Sequence, residues 1–303
     1  MELIVIALGG NAICKRNEAL TVENQYNNID ATAKLIANLA GKYQVIIVHG
    51  NGPQVGLLAL QNAAYKELAP YPLDILVAQT QGMLGYMISQ NLQKFKQVKK
   101  VITLLTKVEV DKNDPSFNNP TKFIGPVYAP EDEAKLVKQY GWTFKPDGKY
   151  IRRVVPSPKP QTIVELDVIK TLLADDTILI CNGGGGVPVI KEQTGYQGIE
   201  AVIDKDHSAA KLATELGADH LMILTDTDFV YANWGTPQQK AYHKVKPDDL
   251  RSLAKEDGSI GPKVQSAIDF VEQTNNTAYI GSLNDLEKLL AGTTGTIISA
   301  KAK

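Results

Sequence analysis

Only two cysteines, Cys14 and Cys181, and only four histidines occur in the 303 residues. Neither set follows a metal-ligand spacing, so no zinc pattern is present and a reducing, cytoplasmic setting is the simplest expectation. Charge of one sign is missing as well. Thirty-two basic side chains stand against 33 acidic ones, for a net charge of −1, and such a balance offers no field for gathering nucleic acid or a membrane surface. No apolar run has the length of a membrane span, and the chain opens on a strand-like segment without a basic region or a small-residue cleavage site, so neither secretion nor membrane insertion is expected. The P-loop pattern G-x-x-x-x-G-K-[ST] is absent. Gly50, Gly52 and Gly56 approach the dinucleotide fingerprint, but the second gap has one residue too many and Pro53 sits inside it. A nicotinamide oxidoreductase is therefore a poor fit.

What is present is a set of short apolar runs that end on glycine or acidic residues. The first, LIVIALGGN (Leu3 to Asn11), reads as a strand buried on both faces and cut off by two glycines at its carboxyl end. The design returns at VIIVHGNG (Val45 to Gly52), at TILICNGGGG (Thr177 to Gly186) and, ending on acidic residues and a lysine, at AVIDKD (Ala201 to Asp206). In an open α/β sheet the ligand lies outside the carboxyl ends of the strands, so four related ends imply one shared crevice. Glycine there lets backbone N–H groups approach without an intervening Cβ, which points to an anion of the phosphate type.

Between the strands, helical spacing predicts helices over Thr21–Ala40, from Pro53 to about Glu67, and from about Asp74 to Phe95. After a strand at Val101–Leu105 the character changes. From Asp111 to Pro160 prolines are frequent and long apolar runs are few, which predicts an inserted subdomain with a short helix within Val127–Tyr140 and a strand at Tyr150–Val155. Alternation then resumes: helix Ile163–Leu173, strands Thr177–Cys181 and Ala201–Ile203, helix Ser208–Leu216, strand His220–Thr225, helices near Pro247–Lys255 and Lys263–Gln273, strand Ala278–Ile280, helix Asn284–Leu290 and strand Thr296–Ile298. This order predicts an α/β chain with a mainly parallel open central sheet in a three-layer αβα arrangement, plus the small insertion.

Lysines decide the reaction class, because a phosphoryl group in flight spreads negative charge over its oxygens and needs fixed cations. Lys205 lies between Asp204 and Asp206 where a strand meets a helix, and Lys263 follows GSIGP (Gly258 to Pro262) at another helix start. Lys122, in NPTK, reads as a surface residue on statistics alone. His49 has no evident partner and is expected to hold structure.

Together the quoted stretches resemble the carbamate kinases of the amino-acid kinase superfamily nearly end to end. They are ALGGNA (Ala7 to Ala12), HGNGPQVG (His49 to Gly56), PLD with TQG (Pro72 to Asp74, Thr80 to Gly82), NPTK-x-IGP (Asn118 to Pro126), VVPSPKP (Val154 to Pro160), GGGGVPV (Gly183 to Val189), EAVIDKD (Glu200 to Asp206), LTDTDFVY (Leu224 to Tyr231) and GSIGPKV (Gly258 to Val264). Many relatives that phosphorylate amino-acid carboxylates carry a lysine where this chain has Ala7, and in carbamate kinases the NPTK lysine is thought to replace it. The resemblance thus makes Lys122 catalytic and the insertion, 111–160, a lid.

It further implies one amino-acid kinase-like domain over 1–303, whose half 1–175 holds carbamate or carbamoyl phosphate through Gly9, Gly10, Asn11, Gly50, Asn51 and Gly52, with Gly183 and Gly184 binding the same substrate from beyond that half. The half 176–303 would hold ATP or ADP through Lys205, Thr225, Asp226, Tyr231, Pro262 and Lys263. Lys122, Lys205 and Lys263 would handle the phosphoryl group and Asp206 would orient the lysines. Magnesium would be carried by the nucleotide phosphates, with no metal ligand in the protein. The implied enzyme is a cytoplasmic homodimer of arginine metabolism acting on small molecules, without nucleic-acid or membrane partners. The chain departs from the family at Lys149 to Arg152, Phe123 and Ile260, all on the lid or the nucleotide rim. Another kinase of the superfamily and a non-catalytic metabolite sensor are the alternatives. NPTK with Ala7 weighs against the first, and the three lysines with Asp206 against the second.

Overall fold

The structure is a computed structural model that describes residues 1–15, 18–173, 177–255 and 259–302. At its centre lies Leu3–Leu8, six fully enclosed residues with parallel neighbours on both sides, Gln44–His49 and His220–Thr225. Such a strand must satisfy two cores at once, and its alternate residues do so. Val5 and Ala7 join the core beneath the helices Lys205–Leu216 and Ile260–Thr274. Ile4, Ile6 and Leu8 join the core beneath Val22–Ala37 and Leu73–Leu92. Three layers follow from this alternation.

The sheet has eight strands in the order Lys244–Val245, Thr296–Ile298, Thr277–Ser282, His220–Thr225, Leu3–Leu8, Gln44–His49, Thr177–Ile180 and Lys100–Thr103. It is parallel except where Thr296–Ile298 runs against Thr277–Ser282. The expected three-layer α/β fold is therefore found.

Three expectations need correction. Ala201–Ile203 is no strand. Its residues are buried, but the segment has no ladder partner, and the Val202 amide instead donates to the Pro156 carbonyl at 3.0 Å. The helix after it begins at Lys205, three residues before the expected Ser208, because Asp204 caps it. A second sheet was not anticipated. Val187–Glu192 and Gly195–Gly198 form a hairpin that is joined by Lys107–Val110 and Pro160–Ile163; the last of these occupies residues expected to lead into a helix, which starts at Leu166.

The pairing of Lys107–Val110 with Pro160–Ile163 closes the base of the insertion. Beyond it, Lys122–Tyr128, Tyr150–Val155 and Thr143–Asp147 make a three-stranded antiparallel sheet. The helix Glu133–Tyr140 packs on it around Leu136, Phe144 and Ile151. The insertion is rooted in the body: Ile124 and Val155 share a core with Val55, Leu76 and Val202. At the same root Gly125, at φ +70°, meets Gly56 so closely that a Cβ on Gly56 would lie 2.0 Å from the Gly125 Cα.

Candidate active site

The parallel strands Leu3–Leu8, Gln44–His49 and Thr177–Ile180 end side by side, so their glycine turns form one wall. Not all the expected amides face outward. The Gly9 N–H donates to the Leu224 carbonyl at 2.9 Å and the Gly50 N–H to the Leu8 carbonyl at 3.3 Å. Gly9 is needed for close packing, since a Cβ there would stand 2.7 Å from the Leu224 oxygen. The amides of Gly10 and Asn11 open a short 3₁₀ turn and those of Gly52 and Gln54 open the helix Gly52–Ala64, where helical geometry leaves N–H groups without intrahelical acceptors.

Gly183 and Gly184 are buried within a turn that supports this wall. A Cβ on Gly183 would fall 2.4 Å from His49 Nε2, and one on Gly184 2.2 Å from Asn51 Nδ2. Gln81 ties the turn down, donating to the carbonyls of Gly183 at 2.9 Å and Thr106 at 3.1 Å. Asn51 itself donates to Thr80 Oγ1 at 2.8 Å. Thr80 and Gln81 were not singled out from sequence, although TQG supplied the signal. His49 Nδ1 donates to the Gly50 carbonyl at 3.0 Å, and burial pushes the ring down to about 4. It is thus a neutral, loop-holding side chain.

Facing the glycine wall is a cluster of charge, buried at Lys205 and Asp206 and half-buried at Lys122, Asp204 and Lys263. Asp206 joins two cations: Lys205 Nζ lies 2.5 Å from Oδ1 and Lys263 Nζ 2.8 Å from Oδ2. Lys122 arrives from the insertion and pairs with Asp204, whose other oxygen accepts from the amides of Asp206 at 2.9 Å and His207 at 3.5 Å. The N-terminus of Lys205–Leu216 thus supplies both carboxylates, to which Lys263 from the start of Ile260–Thr274 and Lys122 from the insertion are tied. Lys205 also crosses to the glycine wall, its Cδ 3.3 Å from where a Cβ on Gly50 would be. All four residues expected to be catalytic come together, and Asp204 joins them as the partner of Lys122; its signal in sequence was an acidic N-cap immediately before Lys205.

The electrostatics follow from three ammonium groups and two carboxylates joined by salt bridges, Lys205 and Lys263 to Asp206 and Lys122 to Asp204. Burial pushes Lys205 below its ordinary value in spite of Asp206. Burial also opposes the charge on Asp206, yet Lys205 and then Lys263 outweigh it and hold the carboxyl low. On Lys263 burial is likewise overcome by Asp206, so its ammonium is stabilised. For Asp204, burial is outweighed first by Lys122, then by His207 and Lys205, which holds its carboxyl well below the usual range. The cluster brings three ammonium groups together at the crevice, the arrangement that stabilises charge developing on phosphoryl oxygens.

Of the remaining expected residues, Pro262 and Asp226 stand next to Lys263. Pro262 precedes it in the first turn of Ile260–Thr274, and Asp226 adds to the field on Lys263. Thr225 Oγ1 donates to Asp226 Oδ1 at 3.0 Å, and the Tyr231 hydroxyl donates to Asp228 Oδ1 at 2.8 Å. Tyr231 also leans on the exposed Trp234, with ring centroids 5.0 Å apart. Gly258, at the start of GSIGPKV, lies outside the described residues, as does the side chain of Asn11. Among the described residues no three His, Cys, Asp or Glu side chains gather as a metal-binding group, and no helix is long and apolar enough to cross a membrane.

Comparison with known proteins agrees with this geometry. Residues 2–282 match the model of the amino acid kinase family. The carbamate kinase of Escherichia coli K12 is 54% identical over 99% of this chain and 100% of its own length. That of Thermococcus kodakarensis is 48% identical over 98% of each chain. The structure of carbamate kinase from Giardia lamblia bound to AMP-PNP superposes with a TM-score of 0.89 at 37% identity, covering 98% of both chains. With the fold, the glycine wall and the lysine cluster all in place along its full length, the chain belongs to the carbamate kinases of the amino acid kinase family.

Proposed function

We propose that the chain catalyses reversible phosphoryl transfer between ATP and carbamate. One observation supports this most directly: a lysine on the insertion, Lys122, reaches the cluster of Asp204, Lys205, Asp206 and Lys263, while the first strand offers Ala7 where a cation would otherwise stand. In the direction of ATP formation, the bond between phosphorus and the carbamate oxygen of carbamoyl phosphate breaks as a terminal phosphate oxygen of ADP bonds to phosphorus. Carbamate leaves as an anion, so no proton has to move. That suits a site whose one buried histidine, His49, is neutral and turned to its own loop.

Lys122 and Lys205 neutralise the transferring group, Lys263 holds the nucleotide phosphates, and Asp206 keeps the two body lysines on target. Gly10, Asn11, Asn51 and Gly52 hold the carbamoyl side, with Gly9, Gly50, Gly183 and Gly184 supporting them. Thr225, Asp226, Tyr231 and Pro262 serve the nucleotide. Half 1–175 thus binds carbamoyl phosphate, half 176–303 binds nucleotide and 111–160 covers both. Magnesium enters as the partner of the nucleotide phosphates, so the substrates are MgATP and MgADP.

A cytoplasmic homodimer is part of the same reading. Ile75, Met83 and Tyr86 share one exposed face of Leu73–Leu92, apolar surface of the kind that mates with a copy of itself; sedimentation should return twice the chain mass. The reaction is tested by coupled detection of ATP from carbamoyl phosphate and MgADP beside acetyl phosphate. Turnover with the first and little with the second is expected. Equal rates would point to another acyl phosphate, and none to a metabolite sensor.

A further inference from the structure

The segment 200–206, which carries Lys205 and Asp206, has no strand neighbour to fix it before its helix begins. It is gripped instead by the root of the insertion at three points. Lys122 pairs with Asp204, the Pro156 carbonyl accepts from the Val202 amide, and the Arg153 guanidinium stands 3.8 Å from Glu200 Oε1. Lys122 and Arg153 sit on strands paired with each other, Lys122 opposite Val155 and Ile124 opposite Arg153, so the two charged grips move as one body.

Arg153 is held firmly on its own side. It is buried, and its guanidinium lies over the Trp142 ring at 3.9 Å, within the insertion's own packing. Burial pushes it down to about 10, and Glu200 is the chief group opposing that push. Glu200 is tied to the body as well, since its Oε2 accepts from the Leu73 amide at 2.7 Å at the start of Leu73–Leu92. One carboxylate thus joins insertion, body helix and the segment leading to the cluster.

We propose that Glu200 and Arg153 are positioning residues that set where Lys205 and Asp206 stand relative to the insertion and its Lys122. The inference rests on the phosphoryl-transfer reading for its kinetic consequence but not for its structural one. Misplacing a catalytic group by about an ångström can lower a rate by up to about a hundredfold. Glu200→Gln keeps an oxygen for the Leu73 amide and removes only the charge facing Arg153.

The test is hydrogen exchange of residues 200–206, the dissociation constant for MgADP, and kcat for ATP formation, measured on the parent, Glu200→Gln, Arg153→Met and the double variant. Faster exchange in 200–206, kcat lower by about tenfold and MgADP affinity within about twofold of the parent are expected for each single variant, with the double variant no worse than Arg153→Met because paired residues are not additive. Unchanged exchange, unchanged kcat per folded molecule with a lowered Tm, or additive losses would each overturn the proposal. If the parent makes no ATP from carbamoyl phosphate, the functional reading fails while exchange in 200–206 still decides whether the grip exists.

Discussion

The two walls of the crevice are built on opposite physical terms. On the glycine side the backbone is the instrument and side chains are excluded: the space a Cβ would need at Gly9, Gly183 and Gly184 is filled by Leu224, His49 and Asn51. On the lysine side the backbone is only a mount, and long side chains carry charge inward from a helix start and from the insertion. A steric wall fails where a Cβ is forced into filled space, whereas the charged wall loses rate when a cation aimed at the substrate is removed. The difference teaches which substitutions report on chemistry and which report on architecture.

The largest effect is expected on the charged wall. Lys205→Ala should lower kcat by about a hundred- to a thousandfold, by analogy with loss of one preorganised electrostatic donor, and should change KM far less. Steady-state kinetics with carbamoyl phosphate and MgADP check this. A change confined to KM would make Lys205 a binding residue and blur the contrast between the walls.

On the steric side, Gly56→Ala is the sharper probe. A Cβ there meets the Gly125 backbone at 2.0 Å, so helix and insertion must part. Overpacking of this kind destabilises by about 1–3 kcal/mol. Denaturant unfolding should show that loss, and limited proteolysis should cut within 111–160 sooner; parental values for both would mean that the root is not held there.

A third expectation concerns pH. His49 is buried with its folded value depressed to about 4, against about 6.5 when unfolded. Between those values the unfolded chain binds the extra proton, so stability from this group is fully present above pH 6.5 and is lost as pH falls toward 4, by on the order of 3 kcal/mol. Denaturant midpoints for His49→Gln should show a shallower acid decline than the parent. Identical declines would place the acid sensitivity elsewhere.

The smallest effect belongs to the rim. Tyr231→Phe removes one exposed hydrogen bond to Asp228, worth about 1 kcal/mol at most. MgADP affinity should fall by less than about fivefold and kcat should hold; a large fall in kcat would bring the rim into the chemistry.

The two walls were not equally legible in the sequence. The glycine turns announced themselves, because buried β-branched runs ending on glycine have few other readings, and the central strands lie where those runs lie. Which amides are free did not show: Gly9 and Gly50 turn theirs to neighbouring strands, a fact of register that no local pattern carries. Ala201–Ile203 misled for a related reason, since a short apolar run looks alike whether it joins a sheet or threads between cores. The hairpin Val187–Gly198 was missed because proline and two glycines weaken the usual strand signal. Lys122 was invisible to composition and legible only through family resemblance, for its partner Asp204 lies 82 residues away.

Lys122 is therefore where the account stands most exposed. The direct measurement is the rate of ATP formation by Lys122→Ala, alone and with added ethylammonium as a free replacement for the missing cation, alongside MgADP affinity. The account predicts a loss in kcat of about a hundredfold with nearly parental affinity, and a partial recovery that grows with the amine. Lys122→Arg should recover little, because its charge is set differently. Near-parental turnover by Lys122→Ala without amine would contradict the account, leaving the insertion a packing element and the cation to come from another residue.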